Sequence, residues 1–384
     1  MRRLSVIPLL LIMTIVLATP ALAEDDVFFS TPAPASTPEA IEIVPGEVIT
    51  PVPTATPKVQ ADGSVILTMT AVGDVTIGRN VQHSGTSIFE KELKKQNNDP
   101  NFIFKNVKDI FENDDVTIIN FEGVLADEYK IPSEKRENSY LFLAPTEYGA
   151  ILPNNSVEMA TIENNHIGDF GQNGIDSTSQ VLTENGIAWA NMKNMASYEA
   201  QGMKIALLAY QTLNQPFTSS ELKHIVADDI EEAKKTHDLV VVYFHWGNEL
   251  DYAPRDNQVM LGRSAIDSGA DLVLGAHSHR INPIECYNGR YIVYSLANCS
   301  FAGNNKPSDM YTFILQTRFK IKDGEILQNA FRIIPCRISS RKDYNDFTIT
   351  PLKEITNIDT VINTMISSGK KLEYAVKSYP LEWE

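Results

Sequence analysis

The chain has 384 residues, 43% hydrophobic and 21% charged, which suits one large domain or two small ones with a sizeable core. Its formal net charge of −16 opposes association with nucleic acid and anionic lipid. An anionic substrate stays open to it, because bound metal ions invert the local field. Three cysteines, Cys286, Cys299 and Cys336, are too few for a disulfide framework and read as buried, inert thiols.

Residues 1–23 have the parts of a secretory signal peptide: basic Arg2 and Arg3, the apolar run Leu4 to Leu17, and the small-x-small site Ala21-Leu22-Ala23. The alternative is an uncleaved membrane anchor. Either form predicts a body outside the cytoplasm, secreted or tethered to the outer face of the cytoplasmic membrane. Cleavage would remove Arg2 and Arg3 and take the formal charge from −16 to about −18. Residues 24–63 form a Pro/Thr-rich stretch, with Pro32, Pro34, Pro38, Pro45, Pro51, Pro53 and Pro57, predicted to be a disordered linker that supplies no core.

From Ser64 onward, short apolar runs end abruptly in polar clusters. Strands are predicted at Val65 to Val72, Val116 to Asn120, Val157 to Ile162, Ile205 to Tyr210, Leu239 to Phe244 and Leu272 to Leu274. Helical stretches lie between them, at Ile103 to Glu112, Gly174 to Glu184, Ile230 to Lys235 and Asp256 to Ser268. This alternation predicts an α/β layered fold. Beyond His279 the strands Arg290 to Leu296, Tyr311 to Lys320 and Ala330 to Ile338 are bounded by Asn288-Gly289 and Asp323-Gly324, which favour hairpins, so the C-terminal half should be richer in antiparallel strands. The main domain is placed at 64–340. Residues 341–384 form an extension with a helix at Ile358 to Ser367, where Ile358, Val361, Ile362 and Met365 repeat at helical spacing.

Each polar cluster follows the C-terminal end of a strand, where open α/β sheets bind ligands. The residue types there are ligands for divalent ions such as Mn, Zn or Fe. Asp74 and Glu122 offer carboxylates, Asn165 an amide oxygen, and His245, His277 and His279 imidazole nitrogens. His166 is better placed as a general acid, with Asp169 and Glu249 as partners that orient histidines. Arg79 could steady a phosphate oxygen. Ordinary readings stand beside these: Asp74 as a helix cap, Glu122 and Asn165 as turn residues, His245 as a core histidine, Arg79 as a surface arginine.

Five ordered motifs carry a family resemblance: Gly73-Asp74-Val75-Thr76-Ile77-Gly78-Arg79, Asn120-Phe121-Glu122, Asn164-Asn165-His166 running to Gly171, His245-Trp246-Gly247-Asn248-Glu249, and Gly275-Ala276-His277-Ser278-His279, closed by Ser295-Leu296-Ala297-Asn298. From Leu67 to Phe301 the chain resembles the CapA-type poly-γ-glutamate capsule synthesis proteins, which are related to the calcineurin-like metallophosphoesterases. The resemblance implies a four-layer α/β/β/α sandwich and two divalent metal ions held by Asp74, Glu122, Asn165, His245, His277 and His279, with His166 as catalytic acid. Two positions depart from the usual metallophosphoesterase pattern: Thr76 stands where a histidine is common, and Glu122 where an aspartate bridges. Ala297 occupies a position where the family commonly has glycine. Three functions follow as expectations: a phosphoesterase acting on an envelope substrate, a non-catalytic accessory protein that binds an anionic polymer within a membrane-bound capsule synthesis complex, or a metallo-amidase acting on γ-glutamyl bonds.

Overall fold

The computed structural model describes residues 57–82, 85–131, 140–213 and 215–383. The leader and the linker up to residue 56 lie outside the described residues. Residues 57–63, assigned to the linker from sequence, turn back onto the folded body. Val59 bridges to Val65, the Lys58 amide donates to Gln201 Oε1 at 2.9 Å, and Asp62 pairs with Lys320 at 2.6 Å.

An eight-stranded sheet is built around Val65–Thr76. That strand pairs in parallel with Val116–Phe121 and Asn298–Phe301, and antiparallel with Tyr311–Lys322. Met159–Thr161 and Ala188–Ala190 extend the parallel side, while Glu325–Arg337 and Thr350–Pro351 extend the antiparallel side. A six-stranded sheet has a parallel centre of Met203–Gln211, Leu239–His245, Leu272–Ala276 and Arg290–Val293. Its edges, Ala196–Ala200 and Ile284–Tyr287, are antiparallel. Both predicted hairpins form, and both residues of each turn take positive φ: Asn288 and Gly289 at 47° and 73°, Asp323 and Gly324 at 52° and 79°. A small third sheet joins Arg79–Asn80, Phe142–Ala144 and Val124–Leu125.

Side-chain alternation along the strands sets the layers. Leu239, Val241 and Tyr243 share one core with Leu67, Met69, Ala71, Val116 and Ile118 of the large sheet. Val240, Val242 and Phe244 face the other way, onto Leu222, Val226 and Ile230 of the helix Ser219–Lys234 and Leu261 and Ala265 of Asp256–Asp267. The outer face of the large sheet, including Val75, Ile119 and Ala160, is covered by Phe89, Phe111, Val181 and Leu182 from the helices Ile88–Lys95, Lys108–Glu112 and Gly171–Glu184. Two sheets covered by helices on both outer sides make the α/β/β/α sandwich. The central strands read as unbroken apolar runs because both of their faces are buried.

Local differences from the sequence reading have physical causes. The stretch Ile103 to Glu112 is a 3-10 turn, Pro100–Ile103, followed by the short helix Lys108–Glu112. Phe102, Ile103, Phe104, Val107 and Phe111 are all buried, so the segment follows the core surface and not a single helical stripe. The helix expected from Ile230 begins at Ser219, capped by Thr218 and Glu221. Of the three cysteines, Cys299 and Cys336 are buried, but Cys286 is exposed, since it lies on the edge strand Ile284–Tyr287. The C-terminal helix spans Ile355–Ser368 and buries Val361 and Met365 in the inter-sheet core. The chain after it binds both sheets: the Val376 amide donates to Ile284 O, and the Ile333 amide to Pro380 O.

Candidate metal centre

The parallel strands of both sheets run their carboxyl ends to the same side of the sandwich, and the candidate residues collect there. Asp74 is set by a close backbone crossing. Its amide donates to Ala297 O at 2.9 Å, and a Cβ at Gly73 would meet that carbonyl oxygen at 1.8 Å, so only glycine fits before it. His245 ends its strand in register with Ala276, which places His277 and His279 in the turn beyond. That turn holds left-handed backbone at His277 (φ 92°) and His279 (φ 53°), a costly conformation for residues other than glycine.

The cluster is tight. Asp74 and Glu122 are fully buried, and one ligand atom each from Asp74, Glu122 and His279 lie within 4.8 Å of one another. His279 Nδ1 lies 3.1 Å from Asp74 Oδ2 and 2.9 Å from Asn298 Oδ1. His245 Nε2 stands 2.7 Å from Asn165 Oδ1, 3.1 Å from His277 Nδ1 and 3.8 Å from Glu122 Oε1. Asn120 Nδ2 donates to Asp74 Oδ1 at 2.7 Å and lies 3.2 Å from His245 Nδ1. Thr76, at the position where a histidine is common, donates its hydroxyl to Glu122 Oε2 at 3.4 Å.

His166 stands at the margin. Its Nδ1 lies 2.9 Å from Asp169 Oδ2 and its Nε2 lies 3.9 Å from Glu122 Oε1, so one nitrogen is fixed and the other faces the cluster. Phe142 packs against its ring.

Burial and mutual proximity push the titrations apart. Desolvation, with Asp74 beside it, raises the Glu122 carboxyl. Desolvation and the neighbouring histidines hold His245 well below the ordinary imidazole range and lower His277 to about 4. Burial opposes the charge on His279 and on His166, but carboxylates overcome it: Glu122 and Asp74 lift His279, while Asp169 and Glu122 lift His166. Neutral imidazoles with free lone pairs at His245 and His277 are the form in which histidine binds metal.

These residues fit divalent ions. Glu122 Oε1 is buried without a hydrogen-bond partner, and among the described residues the two other such side-chain atoms, Gln211 Oε1 and Thr317 Oγ1, belong to neutral groups. A carboxylate oxygen left without a donor at a point ringed by imidazole nitrogens is explained by a cation between them. Asp74, Glu122, Asn165, His245, His277 and His279 are therefore brought to one place, with His166 beside them. Arg79 is not. It lines a separate pocket with Phe89, Asp127, Leu143 and Tyr148, where its Nη2 lies 3.5 Å from the Tyr129 hydroxyl, because it belongs to the small third sheet and pairs with Leu143. Of the two orienting partners proposed from sequence, Asp169 holds His166, while Glu249 is exposed and lines a cavity beside His166 and His279. Asn120 and Asn298 are additional contributors. Their signal was a lone asparagine in an otherwise apolar stretch, two residues before a candidate ligand or closing a motif.

The residues that build this centre lie within a region similar to known proteins. The profile of the family described as bacterial capsule synthesis protein PGA_cap matches residues 68–302. The chain is 32% identical over 263 residues to the PGA biosynthesis protein CapA of Bacillus subtilis (strain 168), covering 64% of this chain and 66% of that protein. It is 28% identical over 255 residues to the capsule biosynthesis protein CapA of Bacillus anthracis, covering 61% of this chain and 60% of that one. The matched region thus spans less than two thirds of either relative's own length, 66% and 60%. Among solved structures, a phosphatase from Mycoplasma pneumoniae superposes with a TM-score of 0.42 at 13% identity, covering 71% of this chain and 94% of that one.

Proposed function

Since the chain belongs to the PGA_cap family of bacterial capsule synthesis proteins, we propose that it serves the synthesis or export of an anionic envelope polymer of the poly-γ-glutamate type, using the strand-end cluster as a two-metal phosphoesterase centre. The observation that carries this reading is Glu122 Oε1, a buried carboxylate oxygen without a hydrogen bond, 3.8 Å from His245 Nε2 and 3.9 Å from His166 Nε2. In this reading the body lies outside the cytoplasm, secreted or tethered at the outer face of the membrane, and works beside a membrane-bound synthesis complex.

Asp74, Glu122, Asn165, His245, His277 and His279 would hold the ions. Bound divalent ions supply Lewis-acid stabilisation of a phosphoryl oxygen and lower the pKa of water. The chain's own residues do the rest. Asn120 and Asn298 fix the rotamers of Asp74 and His279 through their hydrogen bonds. Asp169 accepts from Nδ1–H of His166 and, with Glu122, favours the imidazolium form, whose second proton sits on Nε2, on the side facing the cluster, where it can pass to a leaving oxygen. Phe142 covers the His166 ring and limits water at that proton.

The test is metal analysis and turnover on one set of proteins. Wild type dialysed against Mn, Zn or Fe should retain metal and hydrolyse a member of a phosphomonoester and phosphodiester panel. His166→Ala should keep its metal and lose about 10²–10⁴-fold in turnover. Protein that stays metal-free under all three ions ends this reading. Full metal content with cleavage of poly-γ-glutamate alone moves the chemistry to the γ-glutamyl amide, and full metal content with no cleavage of any ester or amide moves it to polymer binding.

A further inference from the structure

Arg280 follows His279 directly and is 5% exposed. A guanidinium carries five N–H donors and keeps its charge at any working pH. Here Nη1 donates to His279 O at 2.8 Å and Nη2 to Ser308 Oγ at 2.6 Å, and the carbon between them sits 5.7 Å from the Tyr252 ring centre. None of these partners is an anion, and among the described residues no carboxylate forms an ion pair with Arg280. Arg263 shows how this chain treats a comparable arginine: Glu285 takes it with two contacts, at 2.7 Å and 3.2 Å. A buried cation without a counter-charge is costly to keep.

Arg280 lines a cavity of about 140 Å³ together with His166, His279, Asn298, Phe142 and Phe301. Glu249 also borders it, but Glu249 is exposed. The cavity therefore joins the margin of the metal cluster to an unpaired guanidinium across partly aromatic walls, a setting that strengthens a charge-assisted hydrogen bond.

We propose that Arg280 anchors an oxyanion subsite next to the metal cluster, taking a carboxylate or phosphate group of an extended anionic ligand whose reacting group lies at His166 and His279. The subsite deepens the function proposed above and rests on it only for what happens at the cluster; the guanidinium attracts an oxyanion whether or not the ions are bound. A ligand with a single anionic group can occupy one position or the other, whereas a polymer bearing a charge on each unit can occupy both.

Calorimetric titration tests this with two probes, a pentamer of γ-linked glutamate and phenyl phosphate, on Mn-loaded and on chelator-stripped full-length protein. Arg280→Gln should keep its metal content and unfolding temperature and bind the preferred probe about 10–100-fold more weakly. Arg280→Lys, which keeps the charge but loses the fork, should fall between them. The probe that loses more names the oxyanion as carboxylate or phosphate. Unchanged affinity for both probes in Arg280→Gln, or no binding of either probe to wild type, overturns the subsite. If Arg280→Gln fails to fold, Arg280→Lys decides alone, and wild-type affinity in that variant overturns the subsite. Wild type that takes up no Mn sinks the metal reading, and the stripped-protein comparison still decides the role of Arg280.

Discussion

At the amino ends of the large sheet's strands, Asp115 accepts from the Thr68 amide at 2.7 Å and from Gln201 Nε2 at 2.6 Å, Asp114 from the Thr117 hydroxyl at 2.7 Å, and Glu158 from the Thr117 amide at 2.8 Å. At the carboxyl ends of the same strands, Glu122 lies deeper than any of these and keeps one oxygen without a donor. Acidic side chains thus flank both ends of the strand Val116–Phe121, Asp114 and Asp115 before it and Glu122 after it. One pole spends their lone pairs on amides and hydroxyls and so closes the sheet. The other leaves them facing imidazoles and so keeps room for a cation. Partly buried carboxylates that accept from amides and hydroxyls fit a structural role; a fully buried carboxylate with one oxygen lacking a donor asks for another partner.

Substituting the two glutamates in parallel breaks or sharpens this contrast most strongly. Glu122→Gln should lower metal affinity by at least about 100-fold, since loss of mere supporting partners already costs 10–100-fold. It should not lower the unfolding temperature of the metal-free protein, because the amide replaces a fully buried carboxylate that has one oxygen without a donor. Glu158→Gln should leave metal content untouched. Metal analysis and thermal unfolding of both variants check this, and equal metal retention in the two would erase the distinction between the poles.

The acidic pole should set the pH dependence of stability. Burial raises Asp114 to about 7 and Glu158 to about 8, with Asp115 adding to the first and Asp114 to the second. Both groups bind protons more tightly folded than unfolded. Their stabilisation is complete below the ordinary carboxyl range near 4 and is lost as pH rises through 7 to 8. We expect at least about 2 kcal/mol less stability at pH 8 than at pH 5.5 from the two groups together. The double variant Asp114→Asn, Glu158→Gln should flatten the slope in urea unfolding of metal-free protein at the two pH values. A slope equal to wild type's would assign the dependence elsewhere.

The two poles were unequally legible in the sequence. The carboxyl ends announced themselves, because Asp74, Glu122, Asn165, His245 and the His277/His279 pair each follow an apolar run near the carboxyl end of its strand. The central strands and both Gly-containing hairpins were readable for the same local reason. Arg79 lay in one of the same motifs and still ended elsewhere, because a two-residue strand pairing with Leu143 depends on a contact remote in sequence. Asp114, Asp115 and Glu158 gave no signal, since a carboxylate ahead of a strand looks like any surface turn until Thr68, Thr117 and Gln201 fold onto it. The helix Ile88–Lys95 carried a readable capping box, Ser87 with Glu90, but its pattern was too short to stand out. Arg280 was hidden for the opposite reason: its meaning lies in a carboxylate that is absent from its surroundings.

The smallest effect concerns backbone strain beside the cluster. Beside the cluster, Ala297 adopts φ 58° while its carbonyl receives the Asp74 amide at 2.9 Å. A Cβ in left-handed backbone costs on the order of 1–2 kcal/mol, and glycine avoids that cost but gives up about 0.5–1 kcal/mol of unfolded-chain entropy. Ala297→Gly should therefore raise stability by no more than about 1 kcal/mol. Because the Ala297 carbonyl, and not its side chain, holds Asp74, metal affinity should stay within about threefold of wild type, under the 0.5–1.5 kcal/mol that loss of a hydrogen bond would bring. Chemical denaturation and metal titration of the variant measure the two quantities separately. A gain in stability with unchanged affinity would make the strain at Ala297 incidental to the site; a loss of affinity much beyond threefold would mean that the methyl group, buried in the inter-sheet core, helps keep Asp74 aimed at the cluster.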